Sequence, residues 1–267
     1  MALVYLDAGH GGYDNGATYE GRLEKDDNLA LALAVGEILE DNGVDVGYTR
    51  TEDVYDSPVR KAQIANEAGA DLFVSIHRNS SPYPETYSGV QSLIFDSGGL
   101  KEDVAKAINS ELEEVGFNNL GIELRRNLAV LRRTNMDAVL VEAGFINTDA
   151  DNQLFDSEFN NVAYAIANGI YKTLNGRDIP RENYDFIVPP QESGQTGNYI
   201  VQTGLFRNYN NAQTQYNSLT ALGIPANIGQ YNDYYRVSAG ERLTYLQAVN
   251  LENRLKAAGY DTLIVKL

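Results

Sequence analysis

The first two thirds of the chain alternate short apolar runs with longer amphipathic stretches. Apolar runs bounded by polar or glycine-rich segments are typical of buried strands, whereas apolar residues recurring every three or four positions are typical of helices. The predicted strands are ALVYLD (2–7), VDVGYTR (44–50), DLFVSIH (71–77), GVQSLIFD (89–96) and DAVLVEAGF (137–145). The predicted helices span residues 24–43, 57–69, 99–116 and about 157–173.

Start and stop signals support these helices. Ser57 is a typical N-cap and Pro58 suits the first helical position, while Gly43 is a typical C-terminal stop. Strands alternating with helices predict an α/β domain, in which a mostly parallel sheet is covered by helices on both faces.

The last part of the chain contains an internal repeat. YIVQTG (199–204) aligns with YRVSAG (235–240), and LTALGIPANI (219–228) aligns with LKAAGYDTLI (255–264), both at an offset of 36 residues. Each copy reads strand, helix, strand, with Gly223 and Gly259 as helix stops. Two βαβ-like repeats predict a small α+β domain with about four strands and two helices on one face.

A proline-rich stretch separates the two parts. Residues 175–198 hold three of the seven prolines and show neither helical nor strand periodicity. We therefore predict a first domain at 1–176, a linker at 177–196 and a second domain at 197–267.

Charge and composition narrow the function classes. Residues 1–196 carry 15 Lys and Arg against 33 Asp and Glu, whereas residues 197–267 carry six against four. Such an acidic body argues against nucleic acid or an anionic membrane as the main partner. The absence of cysteine excludes disulfides, thiol catalysis and cysteine zinc sites. No run is long enough to insert into a membrane, and the N-terminus reads as a strand rather than a signal peptide.

Both histidines follow predicted strands. In a parallel sheet, ligands gather beyond the carboxyl ends of the strands, and His10, His77 and Glu142 all fall at such ends. Glu24, at the start of the first helix, can fold back to the same rim. Two histidines and one glutamate form a typical catalytic zinc set, which would leave Glu142 to take a proton from water.

Taken alone, each of these residues also has an interpretation that involves no metal. His77 alone would be a packed, hydrogen-bonded histidine, and the glycine-rich loop around His10 is typical of phosphate binding but lacks the P-loop lysine. Glu24 alone would be a solvated first-turn residue, and Glu20 competes with it for a metal. Glu142 alone would pair with an arginine. The convergence of both histidines on one rim favours the metal site.

The order of motifs resembles one family. LDAGHGGYDNGA, EKDDNLALALA, SIHRNSS and VLVEAGF are similar, in sequence order, to motifs of the zinc-dependent N-acetylmuramoyl-L-alanine amidases that cut peptidoglycan. The resemblance covers roughly residues 1–175. It implies that His10, Glu24 and His77 hold one Zn²⁺ and that Glu142 is the catalytic glutamate. It also favours Glu24 over Glu20, because Glu24 begins the Glu-Lys-Asp motif.

The implied reaction is hydrolysis of the amide between the lactyl group of N-acetylmuramic acid and L-alanine, in which Glu142 accepts the proton of the attacking water and passes it to the amine. Two other classes stay open: a non-catalytic wall-binding protein, and another zinc hydrolase such as a carbohydrate deacetylase or a stem-peptide peptidase.

The chain departs from the family pattern in places. Ala8 replaces the usual proline, which we expect to loosen the approach to the His10 loop. Arg78 stands where the family has a small or apolar residue, so it either pairs with a carboxylate of the substrate peptide or with acidic neighbours. Asn79 is a further substrate candidate but also suits tying down its loop, and Arg132 is a candidate oxyanion residue. The short stretch from His77 to Glu142 leaves no room for an extra regulatory helix.

The repeat resembles the sporulation-related (SPOR) domain, which implies binding to glycan strands. Residues 197–267 hold eight of the 18 tyrosines, and aromatic, Asn and Gln side chains suit neutral sugars. The candidate glycan contacts are Gln202, Phe206, Tyr234 and Tyr235; alternatively, these tyrosines lie half-buried on a small sheet.

The predicted partner is peptidoglycan, and the oligomeric state stays open. Without a signal peptide, we expect an enzyme made in the cytoplasm that reaches the wall after release, either as a phage endolysin or when a sporulating mother cell lyses.

Overall fold

The computed structural model describes residues 2–181, 199–222, 224–243, 248, 251–252, 255–256 and 258–267. The chain forms two compact units, residues 1–187 and 188–267. Most of the predicted linker, and Gly223, lie outside the described residues, so the boundaries at 176 and 197 stay predictions. Within the described part of the chain, no helix has both the length and the apolar character that a membrane crossing requires.

The first unit is built on a six-stranded sheet with a two-stranded hairpin beside it. The strands are β1 (Leu3–Ala8), β2 (Thr18–Tyr19), β3 (Arg22–Leu23), β4 (Asp45–Tyr48), β5 (Leu72–Asn79), β6 (Val90–Ile94), β7 (Asn119–Leu124) and β8 (Asp137–Phe145). The sheet order is β4-β1-β5-β8-β6-β7, and β2 pairs with β3. The first four strands in that order run parallel, whereas β6 and β7 run antiparallel to β8. The prediction of a mostly parallel sheet is confirmed.

Helices cover both faces of the sheet. They are α1 (Glu24–Asp41), α2 (Pro58–Ala68), α3 (Leu100–Val115), α4 (Ala129–Arg132), α5 (Asp149–Ser157) and α6 (Phe159–Asn175). The start and stop signals act as predicted: the Ser57 hydroxyl accepts a hydrogen bond from the backbone N–H of Arg60 at 3.2 Å, and Gly43 adopts a left-handed φ of 77° just after α1.

The pleat of the strands separates two cores. On one face, where Val74 and Val139 are fully buried, α1 contacts β5 and α3 contacts β8, and α6 packs against α1 and α3. On the other face, α2 and α4 pack over Phe73 and Leu140. Because side chains alternate along a strand, His77 and Glu142 lie on this second face, beyond the part that α4 covers.

Some elements were not predicted from the sequence. The hairpin, β7, α4 and α5 are short or only partly buried, and β7 exposes three of its six residues, so its sequence lacks a clear apolar pattern. The direction of β6 and β7 also escapes prediction, because alternating apolar runs identify strands without fixing their direction.

The second unit is a four-stranded antiparallel sheet. Its elements are β9 (Tyr199–Phe206), α7 (Tyr209–Ala221), β10 (Ala226–Tyr231), β11 (Tyr234–Leu243) and β12 (Leu263–Lys266), with sheet order β10-β11-β9-β12. Each repeat places its two strands parallel to each other with a strand of the other repeat between them. The two βαβ-like units are therefore interleaved. Ala248 and Leu255, from the predicted second helix, lie in the core, although several of residues 244–257 are outside the described set.

A buried ion pair lies under the carboxyl end of β1. Asp7 and Lys61 are 1% and 3% exposed, and Lys61 Nζ lies 2.9 Å from Asp7 Oδ1. The hydroxyls of Thr49 and Ser75 also donate to the Asp7 carboxylate, each at 2.6 Å. Burial raises the pKa of Asp7, but Lys61 and the two hydroxyls outweigh burial and lower it. The Asp7 carboxylate thus depends on Lys61 and the two hydroxyls to compensate for its burial.

We predict that Lys61→Met destabilises the first unit, because it leaves the Asp7 charge buried with hydroxyl partners alone. Loss of one partner of a buried pair costs about 3–5 kcal/mol, which urea unfolding followed by circular dichroism measures. Lys106→Met is the matched control, since Lys106 pairs with Glu102 on an exposed helix surface and its loss should leave the midpoint unchanged. Equal midpoints for the two variants would contradict the prediction.

Candidate functional site

His10 lies in the loop that follows β1. Its backbone has a φ of 60°, a left-handed conformation uncommon outside glycine. Its Nδ1 lies 2.9 Å from Asp14 Oδ2, and the bridge between Gly11 and Asp14 closes the turn. The ring is therefore oriented by a carboxylate four residues away, which leaves Nε2 facing the rim.

Two buried cations hold the backbone under His10. Lys61 Nζ donates to the carbonyl of Ala8 at 2.5 Å and to that of His10 at 3.1 Å. Arg50 donates to the carbonyls of Ala8 and Gly9, both at 3.0 Å. Two charged donors thus hold the carbonyl of Ala8, and the expectation that Ala8 loosens the approach to the loop stays a prediction.

Glu24 is the first residue of α1 and is 4% exposed. Its Oε1 lies 3.2 Å from His10 Nε2 and 2.9 Å from His77 Nδ1. Its Oε2 accepts from the backbone N–H of Ala17 at 2.8 Å, and Oε1 from Asn28 Nδ2 at 3.3 Å. One carboxylate thus connects the two histidines.

His77 reaches the same place from β5. Its ring stands edge-to-face against that of His10, with centroids 5.0 Å apart. The neighbouring Gly9 is required here, because a Cβ at that position would collide with the His77 ring. Ligand atoms of His10, Glu24 and His77 all lie within 4.8 Å of one another. Two imidazoles and a carboxylate at this spacing fit a zinc ion.

The contacts within the cluster shift the pKa values of His10 and Glu24. Burial alone would lower the pKa of His10, but Glu24 and Asp14 outweigh burial and raise it to about 9. Burial alone would raise the pKa of Glu24, but hydrogen bonds and charges from the two histidines hold it well below its usual range. These shifts favour a negative Glu24 carboxylate beside a protonated His10 at neutral pH.

Glu142 lies beside His77 on the adjacent strand. The two residues are partners in the parallel register of β5 and β8, so their side chains emerge on the same face. Within the described part of the chain, Glu142 Oε2 is buried and has no hydrogen-bond partner. Burial raises the pKa of Glu142 to about 7, against the opposing effect of His77. A carboxyl group near its midpoint at neutral pH suits proton transfer.

Of the two alternatives for Arg78, the structure shows pairing with an acidic neighbour. It follows His77 on the strand, so its side chain leaves the opposite face, and the residue is 2% exposed. Its guanidinium donates to Asp27 at 2.6 Å and to Asn152 at 2.8 Å, and it stacks over the Phe155 ring at 4.1 Å. The guanidinium is not available to a substrate, which corrects that alternative. It instead ties β5, the strand that carries His77, to α1 and α5.

The other two substrate candidates have different surroundings. The Asn79 side chain accepts from the backbone N–H of Ser80 at 2.8 Å, as expected of a residue that ties down the loop. Arg132 ends α4, before β8 begins at Asp137. Asp137 is five residues from Glu142 along an extended strand, roughly 16 Å at about 3.3 Å per residue. Arg132 therefore belongs to the amino end of the sheet, and its assignment as an oxyanion residue is corrected.

The four glycan candidates of the second unit divide between two faces. Phe206 and Tyr235 pack against the core, which corrects their placement on a free sugar-binding face. Gln202 follows the fully buried Val201, and Tyr234 precedes Tyr235. The alternation along the strands puts Gln202 and Tyr234 on the opposite face, where they stay candidates for glycan contacts.

Three polar neighbours of the site were missed. Asp14 orients His10, Asn28 donates to Glu24 and to the carbonyl of Gly9, and Gln91 opposes Glu142 in the register of β6 and β8. The four-residue spacing of Glu24 and Asn28 on one helix face was a usable signal. Gln91 could not be found, because it reaches the rim only through the reversed direction of β6.

The protonation of His10 predicts how metal affinity depends on pH. Zinc binding requires a neutral imidazole, and the pKa of His10 is about 9 in the metal-free protein. The apparent zinc affinity should therefore rise about tenfold per pH unit from pH 7 and level off above about 9. Competition with a chelator of known affinity measures this rise; a constant affinity over that range would contradict the prediction.

We further predict that Asp14→Asn weakens zinc binding, because the carboxylate that orients His10 is lost. Removal of such a partner costs about 10- to 100-fold in affinity, measured on the high-pH plateau where proton competition is small. Glu20→Gln is the control, because Glu20 is exposed and is not part of the cluster. The zinc affinity of this variant should match that of the unchanged protein. A loss in Glu20→Gln as large as in Asp14→Asn would overturn this assignment.

Comparisons with known proteins agree with this geometry. The profile of the N-acetylmuramoyl-L-alanine amidase family (Amidase_3) matches residues 4–172, and that of the SPOR domain matches residues 195–266. The endolysin of Bacillus phage SPP1 is 41% identical over 180 residues, which are 65% of this chain and 66% of that protein. The sporulation-specific N-acetylmuramoyl-L-alanine amidase of Bacillus subtilis (strain 168) is 35% identical over 230 residues, 84% of this chain and 83% of that protein.

A solved structure supports the fold. The crystal structure of N-acetylmuramoyl-L-alanine amidase from Clostridium difficile 630 superimposes with a TM-score of 0.62 and 31% identity, covering 66% of this chain and 98% of that one. The amidase profile spans more than half of the chain, and the residues that it covers include the cluster of His10, Glu24 and His77. The chain therefore belongs to the N-acetylmuramoyl-L-alanine amidase family and carries a C-terminal SPOR domain.

Proposed function

We propose that the protein hydrolyses the amide bond between the lactyl group of N-acetylmuramic acid and L-alanine in peptidoglycan, with one Zn²⁺ held by His10, Glu24 and His77. One observation carries the proposal: a donor set within 4.8 Å lies beside Glu142, whose Oε2 is buried and has no hydrogen-bond partner among the described residues. Metal ligands and a free base in one place are the minimum that metal-assisted amide hydrolysis requires.

The donor set suits zinc. Two imidazoles and one carboxylate are a common catalytic zinc combination, and it leaves a position for water or substrate. When bound, the ion would polarise the scissile carbonyl and make a water molecule more acidic. The protein's own contribution is orientation, because Asp14 fixes the His10 ring and Asn28 holds the Glu24 carboxylate.

Glu142 supplies the proton transfers. As a carboxylate, it takes one proton from the water whose oxygen attacks the lactyl carbonyl carbon. When the carbon–nitrogen bond breaks, the same carboxyl group returns a proton to the amine nitrogen of L-alanine. A pKa of about 7 lets Glu142 exchange a proton in both directions near neutral pH.

The competing functions lack a comparable observation. A non-catalytic wall-binding protein would not need a glutamate with a buried, unpartnered oxygen beside a set of possible metal ligands. A carbohydrate deacetylase or a stem-peptide peptidase could use the same chemistry, but the amidase profile covers the whole ligand set. Product analysis separates these activities.

The C-terminal unit is proposed to hold the enzyme on glycan strands. Gln202 and Tyr234 lie on the sheet face opposite the core, and Arg207 donates to the Tyr234 hydroxyl at 3.2 Å. An amide and an aromatic ring on one face suit neutral sugars. The match to the Bacillus subtilis sporulation amidase spans 84% of the chain, whereas that to the phage endolysin spans 65%. We therefore favour action on the wall of a sporulating cell over phage release.

The proposed function predicts the products of wall digestion. Purified peptidoglycan treated with the zinc-loaded protein should gain N-terminal alanine without new reducing sugars and without acetate. Acetate release would instead identify a deacetylase, and a new amino terminus other than alanine would identify a peptidase.

Glu142→Gln should lower the rate of alanine release by about 10²- to 10⁴-fold, because the amide cannot accept the proton. Its zinc affinity should stay within about twofold of the unchanged protein, since Glu142 is not among the three ligand residues. A variant that keeps its activity would remove Glu142 from the mechanism.

A further inference from the structure

Exposed large side chains of the first unit cluster on the metal-bearing rim. Among its described residues, eight large apolar or aromatic side chains are more than a third exposed. Two of them, Leu120 and Leu124, lie on the edge strand β7. The other six lie in the segments that follow β1, β4 and β5: Tyr13, Val54, Tyr55, Val59, Tyr83 and Tyr87. Exposed apolar groups gathered at one place commonly mark a binding surface.

Two of these tyrosines form one aromatic surface. Tyr13 comes from the His10 loop and Tyr55 from the loop after β4, and their ring centroids lie 4.2 Å apart with planes tilted by 32°. Tyr13 is 80% exposed and Tyr55 38%. The outer ring face of Tyr13 is thus presented to solvent while Tyr55 supports it from behind.

The two loops that carry this pair are locked together. The backbone N–H of Gly12 donates to Asp53 Oδ1 at 2.7 Å. Lys25 Nζ donates both to the carbonyl of Gly12, at 2.8 Å, and to Asp53 Oδ2, at 2.7 Å. A Cβ at Gly12 would lie 2.8 Å from the Tyr55 backbone nitrogen, so the loops are in direct contact. A ligand would therefore meet a preformed surface and would not bear the cost of ordering it.

The pair adjoins the metal ligands and lies in acidic surroundings. Tyr13 directly precedes Asp14, whose carboxylate contacts His10 at 2.9 Å. Asp14 and Asp53 have side chains that are 42% and 49% exposed, and Glu52 is also exposed. These charges disfavour the carboxylates of a stem peptide and leave neutral sugars as the suitable part of a peptidoglycan substrate.

We propose that Tyr13 and Tyr55 form a stacking platform for a pyranose ring of the glycan strand, next to the muramoyl residue whose lactyl amide is cut. This inference rests on the proposed function, which requires a sugar within reach of the metal ligands. The C–H face of a pyranose packs on an aromatic ring, while the phenol hydroxyls can bond to sugar hydroxyl or N-acetyl groups. The platform would make the enzyme prefer muramoyl peptides within a chain over isolated ones.

The test compares two soluble substrates with the full-length, zinc-loaded protein: a muramoyl peptide with one sugar, and the same peptide on a chain of at least four sugars. Release of N-terminal alanine gives kcat/KM for each. Tyr13→Ala should lower kcat/KM on the long substrate by about 5- to 10-fold, mainly through KM, and lower the preference for long over short substrate by the same factor. Tyr13→Phe, which keeps the ring, should retain most of the preference.

Tyr83→Ala is the matched control, because Tyr83 is 76% exposed on a neighbouring loop and is outside the pair. The proposal is overturned if Tyr13→Ala reduces both substrates equally, if it changes neither, or if Tyr83→Ala removes as much of the preference. Failure of the proposed function is distinguishable, since the unchanged protein would then release alanine from neither substrate.

Discussion

The contact of one carboxylate with two imidazoles is the constraint on which the site depends. Glu24, His10 and His77 come from a helix start, a loop and a strand, yet their ligand atoms converge within 4.8 Å. Three polar groups withdrawn from water in this way must satisfy one another. They do so through opposite charge: Glu24 is kept ionised, and the pKa of His10 is raised to about 9. A proton on His10 thus strengthens its contact with Glu24 at neutral pH.

Buried charges beneath the site serve the same constraint. Lys61 and Arg50 are balanced by Asp7 and by backbone carbonyls of the His10 loop. Arg78 is balanced by Asp27, which lies one helical turn beyond Glu24. Because an unpaired buried charge is costly, each of these contacts also fixes the backbone that carries a ligand. The buried cations therefore lie where a loop or the start of a helix must be held in a fixed position.

Much of the fold, and the convergence of His10, Glu24 and His77, could be predicted from the sequence, and the reasons are local. Parallel strands present their carboxyl ends on one rim, so His10 and His77 had to meet. The features that could not be predicted depend on the direction of each strand and on the face of the sheet that each side chain occupies. The reversal of β6 brought Gln91 opposite Glu142, and the alternation along β5 turned Arg78 away from its neighbour His77. Arg132 was misassigned because it precedes β8 and therefore lies at the other end of that strand. In the second unit, Phe206 and Tyr235 look like exposed aromatics in sequence, but they are partly buried and pack against the core of a small sheet.

Glu24 and Glu142 lie at the same end of the sheet but in different environments. Glu24 accepts hydrogen bonds from a backbone N–H and an amide and contacts both histidines, which hold its pKa well below its usual range. Glu142 is a register neighbour of His77, yet one of its oxygens is buried without a partner among the described residues, and its pKa is raised to about 7. A carboxylate that stays ionised suits a metal ligand, whereas one near its midpoint suits a proton carrier. The division of labour proposed for this amidase therefore follows from hydrogen bonding and burial, since the two side chains are chemically identical.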